Sequence, residues 1–190
     1  MSTLEHDRKD ILKIHRDWWV ANEHGDIPLM VTCFPSGMSD LMFNVNKHPY
    51  FGIDEKVKLW QYYFDGGLAL DSTPDVRIMK LDLSGDMAWI AAELEIVIVP
   101  AQDKELNLIE EEVAVPIPGK KIVEGSRATE IYKRDDGTGR PIWKMWHFHC
   151  STLPDPDRPR PGFNDTARSR GGLGWNPWGA PLRVVGPGIG

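Results

Sequence analysis

The chain has 190 residues, enough for one domain with a sizeable core. At 41% hydrophobic and 26% charged it has the composition of a folded soluble protein, and a net charge of −6 without a basic block argues against nucleic acid or an anionic membrane as partner. No stretch approaches the roughly 20 apolar residues that span a bilayer. The charged opening MSTLEHDRKD lacks the apolar core of a signal peptide, and Cys33 and Cys150 form no pattern, so a reduced, cytoplasmic protein is expected.

The first element is an amphipathic helix over LEHDRKDILKIHRDWWVANEHGD. Leu4, Ile11, Leu12, Ile14, Trp18 and Trp19 recur near helical spacing, and Gly25 supplies the stop. IPLMVTCF predicts a second, short helix opened by Pro28 and closed before Pro35. SDLMFNVNKHPYFG alternates like strands around a turn at His48-Pro49. IDEKVKLWQYYFDGG predicts a third helix with its N-cap at or just before Asp54, an apolar face of Val57, Leu59, Trp60 and Phe64, and a Gly-Gly stop.

Beyond this the period falls to two. DVRIMKLDLSGDMAWIAAELEIVIVP predicts a long hairpin turning at Ser84-Gly85-Asp86. KELNLIEEEVAVPIPGKK reads as an acidic, proline-rich excursion or lid. GSRATEIYKRDDGTGRPIWKMWHFHCS predicts a second long hairpin turning through DDGTGRP. A Pro/Gly/Arg-rich tail follows, with Phe163, Trp175, Trp178, Leu182 and Val184 as anchors. The expected division is a domain over 1–153 and a tail over 154–190, packed on the domain or a neighbouring subunit. Helices followed by long strands give an α+β fold, a curved antiparallel sheet wrapped around N-terminal helices. Strict alternation on the last strand sets Trp143, Met145, His147, His149 and Ser151 on one face, with Lys144, Trp146, Phe148 and Cys150 on the other. Both faces are apolar, so the outer one is expected to be covered by a partner copy or the tail.

Several residues carry candidate chemistry. His147 and His149, two apart on a strand, share a face as a metal-binding pair would, and otherwise serve as core hydrogen-bonding groups or as acid and base. A third ligand would have to come from Glu93, Glu130 or His48, and nothing spaces these into a recognised site, so no metal is expected. One histidine is expected to reach a deep pocket and the other to be tied into a core hydrogen bond. Glu93 lies in an apolar strand, on a face with Trp89 and Ala91; a covered glutamate there needs a partner. Arg127 and Thr129 point one way, Glu130 and Tyr132 the other. His48 and Tyr50 fall near a loop.

The order of elements, with GIDEKVKLWQYY, SGDMAWIAAELEI and TEIYKRDDG…WKMWHFHCS, resembles the nuclear transport factor 2-like superfamily and, within it, the SnoaL-like proteins, from Leu4 to Ser151. The closing strand is also similar to that of the association domain of calcium/calmodulin-dependent protein kinase II, which ends on a comparable Trp…His-Phe-His-x-Ser. The resemblance implies a cone-shaped α+β barrel with a pocket at its wide end, usually metal-free. It implies relatives as varied as ketosteroid isomerase, scytalone dehydratase, polyketide cyclases, lyases and assembly domains. Where the kinase hub has pocket arginines this chain has Glu130 and Cys150, so a preference for acidic ligands does not carry over. The ketosteroid isomerase signature of a tyrosine and two aspartates cannot be placed.

Together these readings give a cofactor-independent lyase, dehydratase or isomerase acting on a hydrophobic, aromatic small molecule, such as a lignin-derived phenolic that loses water or an aldehyde. His149 or His147 is the expected acid/base, with Glu130 or Glu93 as its partner and Tyr50 and Tyr132 as donors to a substrate oxygen. Trp18, His48, Trp60, Trp89, Arg127 and Trp146 are the expected substrate contacts. Self-association to a dimer or trimer is expected. A non-catalytic ligand-binding or assembly module, and a metal-dependent hydrolase using the HxH pair, remain the alternatives.

Overall fold

A computed structural model of the chain describes residues 3–46, 48–72, 74–100 and 122–153. The acidic excursion and the tail with its tryptophan anchors lie outside these residues. Helix α1 spans Thr3–His24 and buries Ile11, His15, Trp18, Trp19 and Ala21, residues three and four apart that form one stripe. It stops at Gly25, whose φ of 63° is left-handed. Helix α2, Ile27–Cys33, is capped by the Asp26 carboxylate, which accepts from the Leu29 N–H at 2.9 Å.

Strands β1 (Leu41–Phe43) and β2 (Pro49–Phe51) follow, then helix α3 (Gly52–Asp65). The helix starts earlier than Asp54 because the chain turns sharply at Gly52. With φ at 67°, a Cβ there would lie 2.6 Å from the Gly37 carbonyl oxygen, so a side chain does not fit. Glu55 takes over the cap, its carboxylate accepting from the Phe51 N–H at 2.6 Å. Strand β3, Leu68–Leu70, had no sequence signal; three residues are too few to establish a period.

The two predicted hairpins form as β4 (Asp75–Ser84) with β5 (Met87–Pro100), and β6 (Ile122–Arg134) with β7 (Trp143–Thr152). The sheet order is β2-β1-β7-β6-β5-β3, with β4 also along β5. One pairing departs from the expected antiparallel sheet: β1 runs parallel to β7, with Leu41 opposite His147 and Phe43 opposite His149. A three-residue strand set among helices carries no signal of its direction.

The register of β6 on β7 slips once. Ile131 pairs with His147 but Tyr132 pairs with Met145, leaving Trp146 as an inserted residue. Side-chain parity inverts there. Trp143 and Met145 before the bulge, and Phe148 and Cys150 after it, are all buried against the helices. His147 is half-buried and His149 exposed. The expectation that the two histidines share a face with Trp143 and Met145 is overturned, because one inserted residue defeats strict period two.

On the concave side, Ala88, Ile90, Ala92 and Leu94 of β5 with Ala128 and Tyr132 of β6 meet Ile11, Trp18, Met30, Leu59 and Trp60 from the helices. Small residues on β5 and β6 leave room for large rings opposite. Trp18 is the hub, with ring centroids 5.3 Å from Phe34, 5.3 Å from Trp60 and 5.1 Å from Phe148. No described helix is long and apolar enough to cross a membrane.

Candidate functional site

A carboxylate has acceptors and no donors, so one sealed in a core needs N–H or O–H groups brought to it. Glu130, fully buried on the concave face of β6, receives two kinds. The His15 ring, from α1, faces it through Nδ1, 2.8 Å from Oε2 and 3.0 Å from Oε1. The Tyr132 hydroxyl donates to Oε2. The acceptor-only carboxylate puts the hydrogen on Nδ1 and leaves Nε2 of His15 as the ring's acceptor, with no hydrogen-bond partner among the described residues. Burial, and then the Glu130 charge, raise the Tyr132 phenol well above its ordinary value, so it serves as a donor at neutral pH.

Two further buried arrangements brace the helices. Lys56 of α3 donates to Asp40 Oδ2 at 2.5 Å and to the Gly52 carbonyl at 3.1 Å, tying the first turn of α3 to the segment before β1. Burial pushes Asp40 up and Lys56 down, and their pairing opposes both shifts. Asp7 of α1 accepts from both terminal nitrogens of Arg134 at 2.6 Å and from the Trp143 indole at 3.0 Å. The Arg134 hydrogen bonds, then that of Trp143, hold the Asp7 carboxyl below the usual aspartate value.

Beside the Glu130 cluster lies a cavity of about 100 Å³. Its walls are Trp18, Trp19 and Asn22 of α1, Asn44 and Val45 after β1, and Tyr63 of α3. Leu68 and Leu70 of β3, Ile96 and Ile98 of β5, and Phe148 and Cys150 of β7 complete it. No aspartate, glutamate, lysine, arginine or histidine is among these residues. His15 stands one helical turn before Trp18 and Trp19, and Glu130 is the strand partner of Phe148, so the cluster backs onto the aromatic wall. At the rim, Asn46 Nδ2 donates to the Tyr50 and Tyr63 hydroxyls at 2.6 and 3.0 Å. Two larger hollows, about 360 and 220 Å³, are bounded by exposed residues such as Lys13 and Ile142, or Met87 and Trp89, and open on the outside. The inner cavity is the candidate, because four aromatic rings, those of Trp18, Trp19, Tyr63 and Phe148, converge on it from the helices and the sheet.

The residues singled out from sequence divide between the two faces. Glu130 and Tyr132 meet on the inner face, and Trp18 lines the cavity. Trp60 packs on Trp18 without reaching it. Tyr50 is at the rim and His48 is exposed on the β1–β2 connection. Glu93 and Arg127 are cross-strand partners on the outer face, 3.9 Å apart, and Trp89 is exposed there. Trp146, at the bulge, donates from Nε1 to the Asp135 carbonyl at 2.7 Å, with Lys133 Nζ 4.0 Å from its ring centroid. His147 and His149 flank the exposed Phe43 ring at 5.7 and 5.9 Å. Burial pulls His147 below the ordinary histidine value, against a backbone hydrogen bond at Leu41. Neither histidine lines the cavity, which corrects the expectation of one in a deep pocket.

Sequence reasoning passed over His15, although it falls four residues after Ile11 and three before Trp18, on the apolar stripe. Lys56 likewise sits on the stripe with Leu59 and Trp60. A polar residue inside an apolar stripe was the available signal in both cases. Trp19, Asn22, Asn44 and Tyr63 gather only through the tertiary fold. No group of three His, Cys, Asp or Glu among the described residues is placed to hold a metal.

The fold is that of the nuclear transport factor 2-like superfamily. A ketosteroid isomerase-like protein from Erwinia carotovora atroseptica superposes with a TM-score of 0.57 at 14% identity, covering 77% of this chain and 96% of its own. A provisionally assigned dehydratase of the NTF2-like family from Streptomyces avermitilis gives 0.57 at 14% identity, over 80% and 100% of the two chains. A provisionally assigned calcium/calmodulin-dependent protein kinase type II association domain from Thiobacillus denitrificans gives 0.53 at 13% identity, over 74% and 93%. No family model and no curated protein matches the chain. Identities this low bear on the fold and leave the activity to be argued from the site.

Proposed function

We propose that this chain is a cofactor-independent lyase or isomerase of the cytoplasm that acts by acid/base chemistry on a hydrophobic, aromatic small molecule. The observation that carries the reading is the buried His15–Glu130–Tyr132 cluster against the aromatic wall of the cavity. A carboxylate that fixes an imidazole through Nδ1 leaves Nε2 directed as a base, and a dry surrounding strengthens each charge that develops. In a dehydration His15 takes the proton from carbon, the carbon–carbon double bond forms, and the carbon–oxygen bond breaks. The same proton then leaves with the departing hydroxide as water. Tyr63 and Tyr50 at the rim are suited to hold a substrate oxygen. His15 lies behind Trp18 and Trp19, and the cavity of about 100 Å³ is smaller than the roughly 150 Å³ that holds a benzene ring, so this reading requires that wall to yield to substrate; a phenolic of lignin type that loses water or an aldehyde then matches the aromatic lining.

The test is turnover across a panel of phenolic alcohols that release water or an aldehyde. His15→Gln should keep the fold and lower turnover by roughly 10²-fold or more. His147→Gln and His149→Gln on the outer face should stay within about threefold of wild type. A His15→Gln protein as active as wild type would remove the reading.

A second reading, an assembly module, is favoured by the outer face of the sheet, where Phe43, Met79, Met87 and Trp89 are 41%, 55%, 46% and 40% exposed. Self-association to a dimer or trimer through that face is compatible with either reading. Light scattering of the full chain at micromolar concentration decides whether it occurs.

A further inference from the structure

We infer that Asn46 sets Tyr50 and Tyr63 as a pair of hydroxyl donors that together hold one carbonyl oxygen of a ligand at the rim of the cavity. The inference rests on the proposed reading in taking this cavity as the substrate site. It adds what the substrate presents there: an oxygen that accepts, not a hydroxyl that donates.

A primary amide has a donating and an accepting end, and its neighbours fix which is which. Asn46 lies in the connection between β1 and β2, which the Asn44 N–H closes on the His48 carbonyl at 3.3 Å. The Asn46 oxygen accepts from the His48 N–H at 3.2 Å, so its nitrogen faces the two phenols. That one nitrogen donates to the Tyr50 hydroxyl of β2 at 2.6 Å and to the Tyr63 hydroxyl of α3 at 3.0 Å. Asn44 repeats the arrangement. Its oxygen accepts from the Val45 N–H at 2.9 Å, and its nitrogen donates to the Tyr63 hydroxyl at 3.3 Å. A phenol oxygen offers two lone pairs and one hydrogen. Amide nitrogens take both lone pairs of Tyr63, so toward any further group this hydroxyl is a donor. The Tyr50 hydrogen cannot point at the Asn46 nitrogen either, because that nitrogen is itself donating.

The spacing suits a shared acceptor. The two hydrogens of a planar NH2 group diverge by about 120°, which sets the two phenol oxygens about 5 Å apart. One oxygen about 2.7 Å from each closes the triangle at an angle of about 130°, near the spread of the two lone pairs of a carbonyl oxygen. Asn44, Asn46, Tyr50 and Tyr63 all keep some exposed surface, and Asn44 and Tyr63 are part of the cavity wall. A ligand seated this way has its carbonyl at the rim and its apolar body toward Val45, Leu68 and Leu70. When a proton is taken from carbon beside a carbonyl, negative charge collects on that oxygen, and two donors already in place stabilise it.

The experiment titrates the full chain with cyclopentanone and with methylenecyclopentane, in which a CH2 replaces the oxygen. The carbonyl stretch of the bound ketone is recorded by infrared difference spectroscopy. Wild type should bind the ketone at least about fivefold more tightly than the alkene, with the stretch well below its position in an alkane solvent. Asn46→Asp inverts the polarity. The carboxylate still accepts from the His48 N–H and still bridges both phenols, but as an acceptor, so the two hydroxyl hydrogens turn inward. The fold should persist and the preference for the ketone should disappear, an outcome that a merely structural bridge does not give. Tyr63→Phe should reduce the preference and leave the alkene unaffected. Equal binding of ketone and alkene by wild type, an alkane-like stretch in the bound ketone, or an Asn46→Asp protein that keeps the preference would each overturn the assignment. If Asn46→Asp does not fold, the wild-type preference and the stretch decide alone. Binding of neither probe would overturn both this inference and the use of the cavity. A ketone preference together with turnover indifferent to His15 would uphold the inference and remove the catalytic reading.

Discussion

Glu130 and Glu93 stand on neighbouring strands of one sheet, on opposite faces, and live in opposite ways. Glu130 has no exposure at all and is satisfied by the His15 ring and the Tyr132 hydroxyl, both held by packing. Glu93 keeps 30% of its side chain exposed and has a single long ion pair to the half-exposed Arg127. Water solvates the outer carboxylate whenever that pair opens, whereas nothing but the fold solvates the inner one. The inner carboxylate is thus committed to fixed partners, and the outer one remains free to exchange its own. The same division separates His15, fixed through one nitrogen, from the exposed His149.

The largest expected effect comes from removing the inner carboxylate. Glu130→Ala should destabilise the fold by about 3–5 kcal/mol, since it strands a ring nitrogen and a phenol in the core. Glu93→Ala on the outer face should cost less than about 1 kcal/mol. Urea unfolding of both variants measures the contrast directly; similar losses would break it.

Asp7 sharpens the same comparison at the end of the sheet where α1 meets β6. It is buried and bonded by Arg134 and Trp143, so Asp7→Asn should cost roughly 1.5–3 kcal/mol at neutral pH. Its carboxyl is depressed in the folded state, so its contribution is complete above the ordinary value near 3.8 and is lost as pH falls through the lower folded value. The difference in thermal midpoint between wild type and Asp7→Asn should therefore shrink below about pH 4. A difference that grows on acidification would contradict the assigned partners.

The smallest effect is expected at the outer histidines. His149→Gln should change stability by no more than about 0.5 kcal/mol, as for a surface substitution with one ring contact. A larger loss in a dilute monomeric sample would mean that the outer face is not the permissive one.

Much of this was legible in the chain. The stripes Ile11, Trp18, Trp19 and Leu59, Trp60, the Gly-Asp turn after Ser84 and the DDGTGRP turn all act within a few residues, and each element formed where local spacing indicated. Glu130 and Tyr132 were correctly set on one face and opposite Arg127, because alternation on β6 holds through that stretch. The closing strand failed for a local reason with a remote cause. Trp146 looks like any other residue of an alternating run, and only its pairing with β6 makes it a bulge.

By itself the sequence determined the helices, the two hairpins and their turns, since capping, periodicity and turn chemistry depend on neighbours along the chain. The tertiary structure decided which way the histidines of HFHCS point, that β1 lies parallel to β7, and that His15 meets Glu130 across 115 residues. It also decided that Trp18, Trp19, Asn44, Tyr63 and Phe148 enclose one cavity. Those outcomes depend on register between strands and on which stripe packs against which face, and register is set by the sum of contacts across the sheet.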